Sequence, residues 1–239
     1  MIEILQWSTL TICVIVAAAR IPSAIRGENR TLFYIFALMA IAILLSISAP
    51  YVAIDQALGG VNVANLILRF VIFGAIYFVG IRITRGFGAA DGYRLLTGRV
   101  GMAILALISV AVVVLFLLMD TAGSSAGLSA VSARDARNGL LVEYYGAAGR
   151  AYPAYVSLVL LPAMCRACRS TLPPLIRVAA FLLAVGAVTI TLSLLFPLLP
   201  PDLGSVEYII NYTAILCFII GLSLIWIARL RSGRPTRAQ

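Results

Sequence analysis

Apolar residues occur along the chain in seven long runs that are separated by shorter polar connections. Each run has roughly the 20 residues that a helix needs to cross a hydrocarbon core of about 30 Å. Transmembrane β-strands would instead alternate in segments of about ten residues, and no such alternation occurs. The runs predict membrane spans at about 2–19, 32–52, 62–81, 99–119, 141–164, 175–199 and 208–228.

The spans are predicted to be helices, because a chain in lipid has to satisfy its own backbone hydrogen bonds. The predicted fold is therefore all-α, a single transmembrane domain over residues 1–239 built as a bundle of seven helices. Fourteen of the 18 arginines lie on alternate connections, after the first, third, fifth and seventh spans. The positive-inside rule then places the N-terminus outside and the basic tail 229–239 in the cytoplasm.

Composition agrees with a polytopic membrane protein. Hydrophobic residues make up 62% of the chain and charged residues 11%, against about 25% charged in an ordinary soluble domain. The net charge of +9 comes from short clusters between apolar runs, which is typical of topology signals rather than of a nucleic-acid surface. The lipid bilayer is the expected partner, and no nucleic acid is expected.

All 18 basic residues are arginine, and histidine is absent. Arginine codons are richer in GC than lysine codons, which favours the plasma membrane of a bacterium with a GC-rich genome. A retinal Schiff base needs lysine, and a histidine proton relay or a zinc or haem ligand needs histidine. No cofactor of those kinds is expected.

Catalytic and metal motifs are also weak. Cys165 and Cys168 form a lone CxxC, whereas a zinc ribbon needs a second ligand pair, so two reduced thiols are the favoured interpretation. No serine has a histidine base, and no two carboxylates share a membrane depth by sequence. We expect neither an enzyme nor a metal site.

One arginine lies inside an apolar run. In ANLILRFVIFG (64–74), Arg69 is about 10 Å below the outer boundary of the third span at 1.5 Å per residue. Placing it there costs at least about 2.5–3.5 kcal/mol on insertion scales. Asn62 and Asn65 precede it at spacings of seven and four residues, which predicts one polar stripe on the third helix.

A second pair of charges lies in VEYYGAAGRAYPAY (142–155). Arg150 is about 24 Å from the inner boundary near Arg166, so its long side chain can snorkel to the outer surface. Glu143 lies nearly two turns further out, too far for a direct helical pair. An interfacial flank is the favoured interpretation of both residues.

The sequence leaves two interpretations of Arg69 open. It can be part of a structural hydrogen-bonding seam between helices, or of an outward-open polar pocket with a positive floor. The pocket would have Glu143 and Glu207 as counter-charges. Its candidate residues are Arg69, Asn62, Asn65, Arg150, Tyr144, Tyr145, Asn211 and Tyr212.

Three further local features are predicted. The inner connection GFGAADGYRLLTG (86–98) reads as a flexible loop, and the outer connection 120–139, rich in small polar residues, reads as a mobile one. Helix kinks are expected where proline removes a backbone hydrogen bond, at Pro50, Pro153, Pro162 and Pro197.

The stretch IDQALGGVNVANLILRFVIFGAIYFVG (54–80) resembles a region of a family of actinobacterial integral membrane proteins for which a transport role has been suggested. In that family an acidic residue and a Gly-x-Asn-hydrophobic turn precede the third helix. Asp55, Gly59, Gly60, Asn62 and Asn65 stand in those places here. The resemblance covers about the first half of the chain and implies the same seven-span layout.

The first functional hypothesis is therefore a small transporter or permease-like protein, with an anionic or zwitterionic small molecule bound near Arg69. The rival hypothesis is a non-transporting membrane component, either a receptor-like sensor or a subunit that anchors a partner assembly. A transporter requires Arg69 to face an aqueous cavity, whereas a structural subunit requires it to be fully paired within the bundle.

Overall fold

The computed structural model describes residues 2–27, 30–198 and, near the C-terminus, 210, 213–214, 216–218, 220–221, 224–225 and 228. Two 3₁₀ helices, Ala126–Leu128 and Ser193–Leu198, accompany the α-helices. The α-helices up to residue 198 are α1 (Ile2–Ile25), α2 (Arg30–Leu44), α3 (Ser48–Ala57), α4 (Val63–Gly86), α5 (Ala90–Thr97), α6 (Arg99–Leu118), α7 (Ser129–Ser132), α8 (Ala136–Cys168) and α9 (Pro174–Leu192).

Within the described residues, five helices are long and apolar enough to cross a membrane. They cover Gln6–Ile25, Val63–Gly86, Arg99–Leu118, Ala136–Cys168 and Pro174–Leu195. The helices α2 and α3 together would make a sixth span, bent by 91°. The chain is thus an all-α integral membrane protein with several passes. In the predicted seventh span, 208–228, eleven of the 21 residues are described, and those eleven are helical.

The second predicted span, 32–52, is not one continuous helix. It ends as α2 at Leu44 and resumes as α3 at Ser48. Pro50 explains why a straight helix cannot continue, because it lacks an N–H and its ring would clash with the carbonyl four residues earlier. In α3 the same proline lies in the first turn, where no intrahelical N–H is needed. The kink predicted at Pro50 is confirmed.

The prolines at the other three predicted kinks do not divide an α-helix in two. The helix α8 runs unbroken through both Pro153 and Pro162, as membrane helices can when neighbouring groups satisfy the freed carbonyls. Pro197 lies in the 3₁₀ helix that follows α9. Among the described residues, the helix break near Pro50 has serines, Ser46 and Ser48, close to the proline.

The described chain divides into two compact units. The first comprises Met1–Val79 and Leu105–Gly149, and the second comprises Gly80–Ile104 and Arg150–Gln239. In the first unit, α1 packs on α2 through buried Leu10, Cys13 and Ala40.

A second apolar cluster of the first unit lies where α3 turns into α4. Leu45, Tyr51 and Ala64 are its buried members, and Leu68 packs against them. Tyr51 is 1% exposed and Ala64 is fully buried. This cluster fixes the turn that leads into the helix carrying Arg69.

In the second unit the connection 86–98 contains the helix α5, so the prediction of a flexible loop was wrong. Gly92 and Leu96, four residues apart, are buried on one face of α5, while Arg94 and Leu95 are exposed. The Tyr155 hydroxyl of α8 donates a hydrogen bond of 2.8 Å to the Leu95 carbonyl. Buried and exposed positions follow helical spacing over these eight residues, which indicates a short amphipathic helix. The glycines of this connection instead favoured the prediction of a loop.

Two glycines of the second unit allow neighbouring side chains to approach their helices closely. A Cβ on Gly80 of α4 would lie 2.9 Å from the Leu96 side chain, and a Cβ on Gly186 of α9 would lie 2.8 Å from Phe218. Small residues allow helices in membranes to approach closely in this way.

Candidate functional site

A buried carboxylate organises the turn between α3 and α4. Asp55 is fully buried, and its two oxygens accept hydrogen bonds from the backbone N–H groups of Asn62 at 2.9 Å and Ala64 at 3.0 Å. The Ser124 hydroxyl donates a third bond of 2.6 Å. Asp55 thus caps the N-terminus of α4, where free N–H groups and the helix dipole favour a negative charge.

Asn62 lies before α4, with φ 59° in the left-handed region. Its side-chain oxygen accepts hydrogen bonds from the Tyr51 hydroxyl at 2.8 Å and the Ser125 N–H at 3.0 Å. Its side-chain nitrogen donates to the carbonyls of Thr121 and Gly123, both at 2.9 Å. An asparagine amide can make four bonds, and all four are made here.

The predicted polar stripe of three residues is therefore shorter than expected. Asn62 precedes the helix and its side chain is fully engaged in the turn, which leaves Asn65 and Arg69, one turn apart on the same face of α4. The stripe is shorter because Gly59 and Gly60 have positive φ angles of 105° and 70°. They form a turn that ends at Asn62, so the helix begins only after that residue. Asparagine adopts this left-handed conformation more readily than most residues do.

The connection 120–139, which was predicted to be mobile, is bonded to this turn. Gly123 donates its N–H to the Gly60 carbonyl at 2.9 Å. Arg134 forms an ion pair with Asp120 and bonds to the carbonyls of Asp120 and Ala122. Asp135 accepts the Asn138 N–H at 2.7 Å, which caps α8.

Arg69 meets α8 within the first unit. Its guanidinium carbon lies 5.1 Å from the centroid of the Tyr145 ring, a cation–π distance. One turn further along, Gly149 leaves room for the arginine, since a Cβ there would lie 2.7 Å from an arginine terminal nitrogen. Tyr145 is fully buried and Gly149 is buried, while Arg69 is partly buried. Arg69 thus lies in a slot on α8 formed by an aromatic ring and a glycine.

Three polar atoms around this slot have no hydrogen-bond partner among the described residues. They are the side-chain oxygen of Asn65, the Nε of Arg69 and the hydroxyl of Tyr145. The Tyr145 hydroxyl lies near the guanidinium but makes no well-formed bond with it. Asn65 is 4% exposed and lies beside Tyr51. We call Asn65, Arg69 and Tyr145 the Arg69 cluster.

The cluster can act on a ligand in a defined way. The Arg69 Nε–H can donate only, the Asn65 side-chain oxygen can accept only, and the tyrosine hydroxyl can do either. A carboxylate would match the guanidinium, and an ammonium or hydroxyl group would match the amide oxygen. Such buried polar groups ordinarily find a partner.

The remaining predicted site residues have separate outcomes. Glu143 and Tyr144 are exposed on α8, and no ion pair links Glu143 to Arg69 within the part of the chain described. Arg150 belongs to the second compact unit, is partly buried, and has an interaction partner of its own. The candidates Asn211 and Tyr212, and the counter-charge Glu207, lie outside the described residues.

The capping role of Asp55 and the space left by Gly149 did not follow from the sequence. Asp55 was predicted only as the acidic residue that precedes the third helix, because its distance from α4 along the chain hides a capping contact that forms through the turn. Gly149 drew no notice, because a glycine in a membrane helix is common. Only the facing arginine shows why this glycine matters.

Comparisons with protein families, with curated proteins and with solved structures found no match. The resemblance to the actinobacterial family accordingly stays a prediction. In this chain the residues that carry it, Asp55, Gly59, Gly60 and Asn62, build one turn at the start of α4.

Proposed function

We propose that this integral membrane protein is a small transporter or permease-like protein of a bacterial plasma membrane, and that the Arg69 cluster binds an anionic or zwitterionic small molecule. The proposed orientation has the N-terminus outside, which puts the cluster in the outer half of the membrane. The observation that carries the proposal is the set of three buried polar atoms on α4 and α8 that have no hydrogen-bond partner among the described residues.

The free-energy cost of burying these polar groups supports a binding role for the Arg69 cluster. A buried polar atom that makes no hydrogen bond costs about 1–3 kcal/mol, and an arginine in a span adds its insertion cost. Residues that kept such costs without a function would be expected to be replaced by apolar ones of similar volume. A bound carboxylate would satisfy the guanidinium, and a polar group on the same molecule would satisfy Asn65.

The alternative is a non-transporting component, either a receptor-like sensor or a subunit that anchors a partner. The close fit of Arg69 against Gly149 and the Tyr145 ring favours it, because such packing ties α4 to α8 whether or not a ligand binds. The fully bonded Asp55 and Asn62 are structural in both cases.

A cysteine-accessibility scan separates the two functions. Single cysteines would replace Asn65, Arg69 and Tyr144 in a chain whose four native cysteines are serine, and a membrane-impermeant thiol reagent would be added from outside. Exposed Tyr144 is the positive control and buried Leu160 is the matched negative control. Labelling at positions 65 and 69 is expected if the cluster faces an aqueous route.

Protection by small molecules then tests the ligand class. Acetate and glycine would be the probes, one an anion and the other a zwitterion, with methylammonium as a cation control. Slower labelling of position 65 by acetate or glycine, but not by methylammonium, would support the proposal. Labelling at 144 with none at 65 or 69 would favour the structural subunit.

A further inference from the structure

Three arginines lie on the helix α5 or at the adjoining ends of two membrane spans. The spans Val63–Gly86 and Arg99–Leu118 are joined by only twelve residues, so α5 lies at the membrane boundary where both helices end. Arg85 is in the last turn of α4, Arg94 is on α5 and Arg99 begins α6. All three are exposed, and all belong to the second compact unit.

Two open clefts lie beside these arginines. One, of about 600 Å³, is lined by Asp91, Arg94, Leu95, Gly98, Arg99 and Val100. The other, of about 370 Å³, is lined in part by Thr84, Arg85 and Tyr93. Arg94 lines both clefts, so they adjoin. Neither cleft includes Arg69.

Charge in the clefts is unbalanced. Asp91 is the one carboxylate among their lining residues, and within the described chain no ion pair joins it to any of the three arginines. Arg85 donates a hydrogen bond of 3.1 Å to the Tyr93 hydroxyl and lies over the Tyr93 ring at 5.1 Å. Stacking of this kind fixes the direction of a guanidinium, which can then bind a phosphate with two parallel bonds.

The clefts also carry an apolar edge. Leu95 is 47% exposed and Val100 is 60% exposed, and each adjoins an arginine in the sequence. Arginines beside exposed aliphatic side chains at a membrane boundary suit a molecule with a charged head and an apolar tail. A free phosphate would make no use of Leu95 or Val100.

The helix α5 is held firmly enough to present a defined site. Tyr155 bonds to its last turn, a Cβ on Gly92 would meet the Thr84 side chain at 3.1 Å, and Gly101 of α6 packs against the carbonyls of Leu95 and Leu96. We propose that Arg85, Arg94 and Arg99 form a binding site for the phosphate headgroup of an anionic phospholipid, with acyl chains along Leu95 and Val100. This site is independent of the function proposed for the Arg69 cluster.

Lipid retention on the purified full-length protein tests this site. Native mass spectrometry in detergent would measure binding of phosphatidylglycerol and of phosphatidylcholine to the wild type and to R85Q/R94Q/R99Q. An arginine near a membrane surface contributes about 1 kcal/mol to anionic-lipid binding, or roughly fivefold in affinity. The triple variant is therefore expected to lose on the order of a hundredfold in phosphatidylglycerol affinity.

The matched control R20Q/R26Q/R169Q removes three arginines from the same predicted side of the membrane and leaves the clefts intact. It is expected to retain phosphatidylglycerol as the wild type does, and R94K alone should show a partial loss if two-pronged phosphate contacts matter. Equal loss in the control, or equal binding of phosphatidylcholine, would overturn the site. Arginine-dependent binding of inorganic phosphate, together with a phosphatidylglycerol affinity that L95S/V100S leaves unchanged, would assign the clefts to a soluble phosphate and overturn the lipid.

Discussion

The guanidinium carbon of Arg69 lies 5.1 Å from the centroid of the Tyr145 ring, and this contact joins α4 to α8 within the first compact unit. The ring removes one face of the guanidinium from other contacts, and Gly149 provides the space beside it. A cation–π contact away from water contributes up to about 2 kcal/mol. The arginine can therefore remain in a membrane span without a carboxylate partner among the described residues.

Gly149→Ala should destabilise the protein. Its new Cβ would approach the Arg69 guanidinium to within 2.9 Å of the central carbon, so the side chain must move off the Tyr145 ring. Overpacking of this kind costs about 1–3 kcal/mol, which outweighs the helix-propensity gain of at most about 1 kcal/mol. Unfolding of the purified protein in mixed micelles would measure the change.

Two comparisons make the Gly149 result specific. Gly139→Ala on the same helix is the control, because its Cβ would meet only the Ser132 carbonyl at 3.4 Å, an ordinary contact. In an Arg69→Met background the cost of Gly149→Ala should shrink, since the clashing group is gone. An unchanged cost in that background would show that the glycine acts through some other neighbour.

Tyr145→Phe separates a structural role from a binding role. The hydroxyl has no hydrogen-bond partner among the described residues, so its removal should not destabilise the protein and should raise the free energy of unfolding by up to about 1–3 kcal/mol, the cost of a buried polar atom without a partner. The ring and its contact with Arg69 are kept. Protection of position 65 by acetate or glycine should nevertheless weaken, because the ligand loses one hydrogen bond.

Tyr145→Leu provides the contrast, since it removes the ring as well. We expect it to lower stability by about 1–3 kcal/mol through the lost aromatic contacts with Arg69 and Phe116. If Tyr145→Phe were as destabilising as Tyr145→Leu, the hydroxyl would have to be part of a structural seam.

Asn62→Ala should be among the most damaging single substitutions in the turn. It removes four hydrogen bonds and forces a left-handed φ on alanine, for a total cost of at least about 3 kcal/mol. Asn62→Gly loses the same bonds but tolerates the backbone, so it should be the milder variant by about 1 kcal/mol. Equal losses in the two variants would remove the backbone part of the explanation.

Ser124→Ala tests the capping carboxylate in the same turn. It removes only the hydroxyl bond to Asp55 and leaves both backbone bonds in place. We expect a loss of about 1.5–3 kcal/mol, the range for a hydrogen bond to a charged group. Ser132→Ala is the matched control, because that hydroxyl bonds a carbonyl at an exposed position.

Much of the fold follows from hydropathy alone. Predicted spans at 62–81, 99–119 and 141–164 match the helices α4, α6 and α8, because about 20 apolar residues in lipid have one satisfactory backbone conformation. The span 32–52 differs because Pro50 and its serine neighbours break the helix, and hydropathy does not register such local backbone effects.

The site was only partly predictable. Arg69 was identified from its burial cost, and Asn65 from its spacing on the same helix face. The role of Asn62 was misread because a 3–4 periodicity cannot show where a helix begins. Tyr145 was among the candidates because of its predicted depth in the outer half of the membrane. Gly149, 80 positions after Arg69, was not, because no spacing rule connects residues across helices.

Acid should loosen the connection 120–139. The ion pair with Arg134 lowers the pKa of Asp120, and the Asn138 N–H groups lower the pKa of Asp135. A carboxylate whose pKa is lowered by folding stabilises the folded state above its unfolded pKa of about 3.9, and that stability is lost as pH falls through the lower folded pKa. Neutral pH is therefore on the stable plateau for both groups.

The expected observation is constant stability from neutral pH down to about pH 4, followed by a decline as the two carboxylates take up protons. Asp120→Asn removes one of these carboxylates, so the free energy of unfolding should fall less steeply below about pH 4 than in the wild type. Unfolding in mixed micelles at a series of pH values would measure this acid limb of the stability curve. Asp91→Asn, at an exposed position on α5, is the control and should leave the limb unchanged. A limb of the same slope in Asp120→Asn and wild type would show that the Arg134 ion pair does not contribute to acid sensitivity.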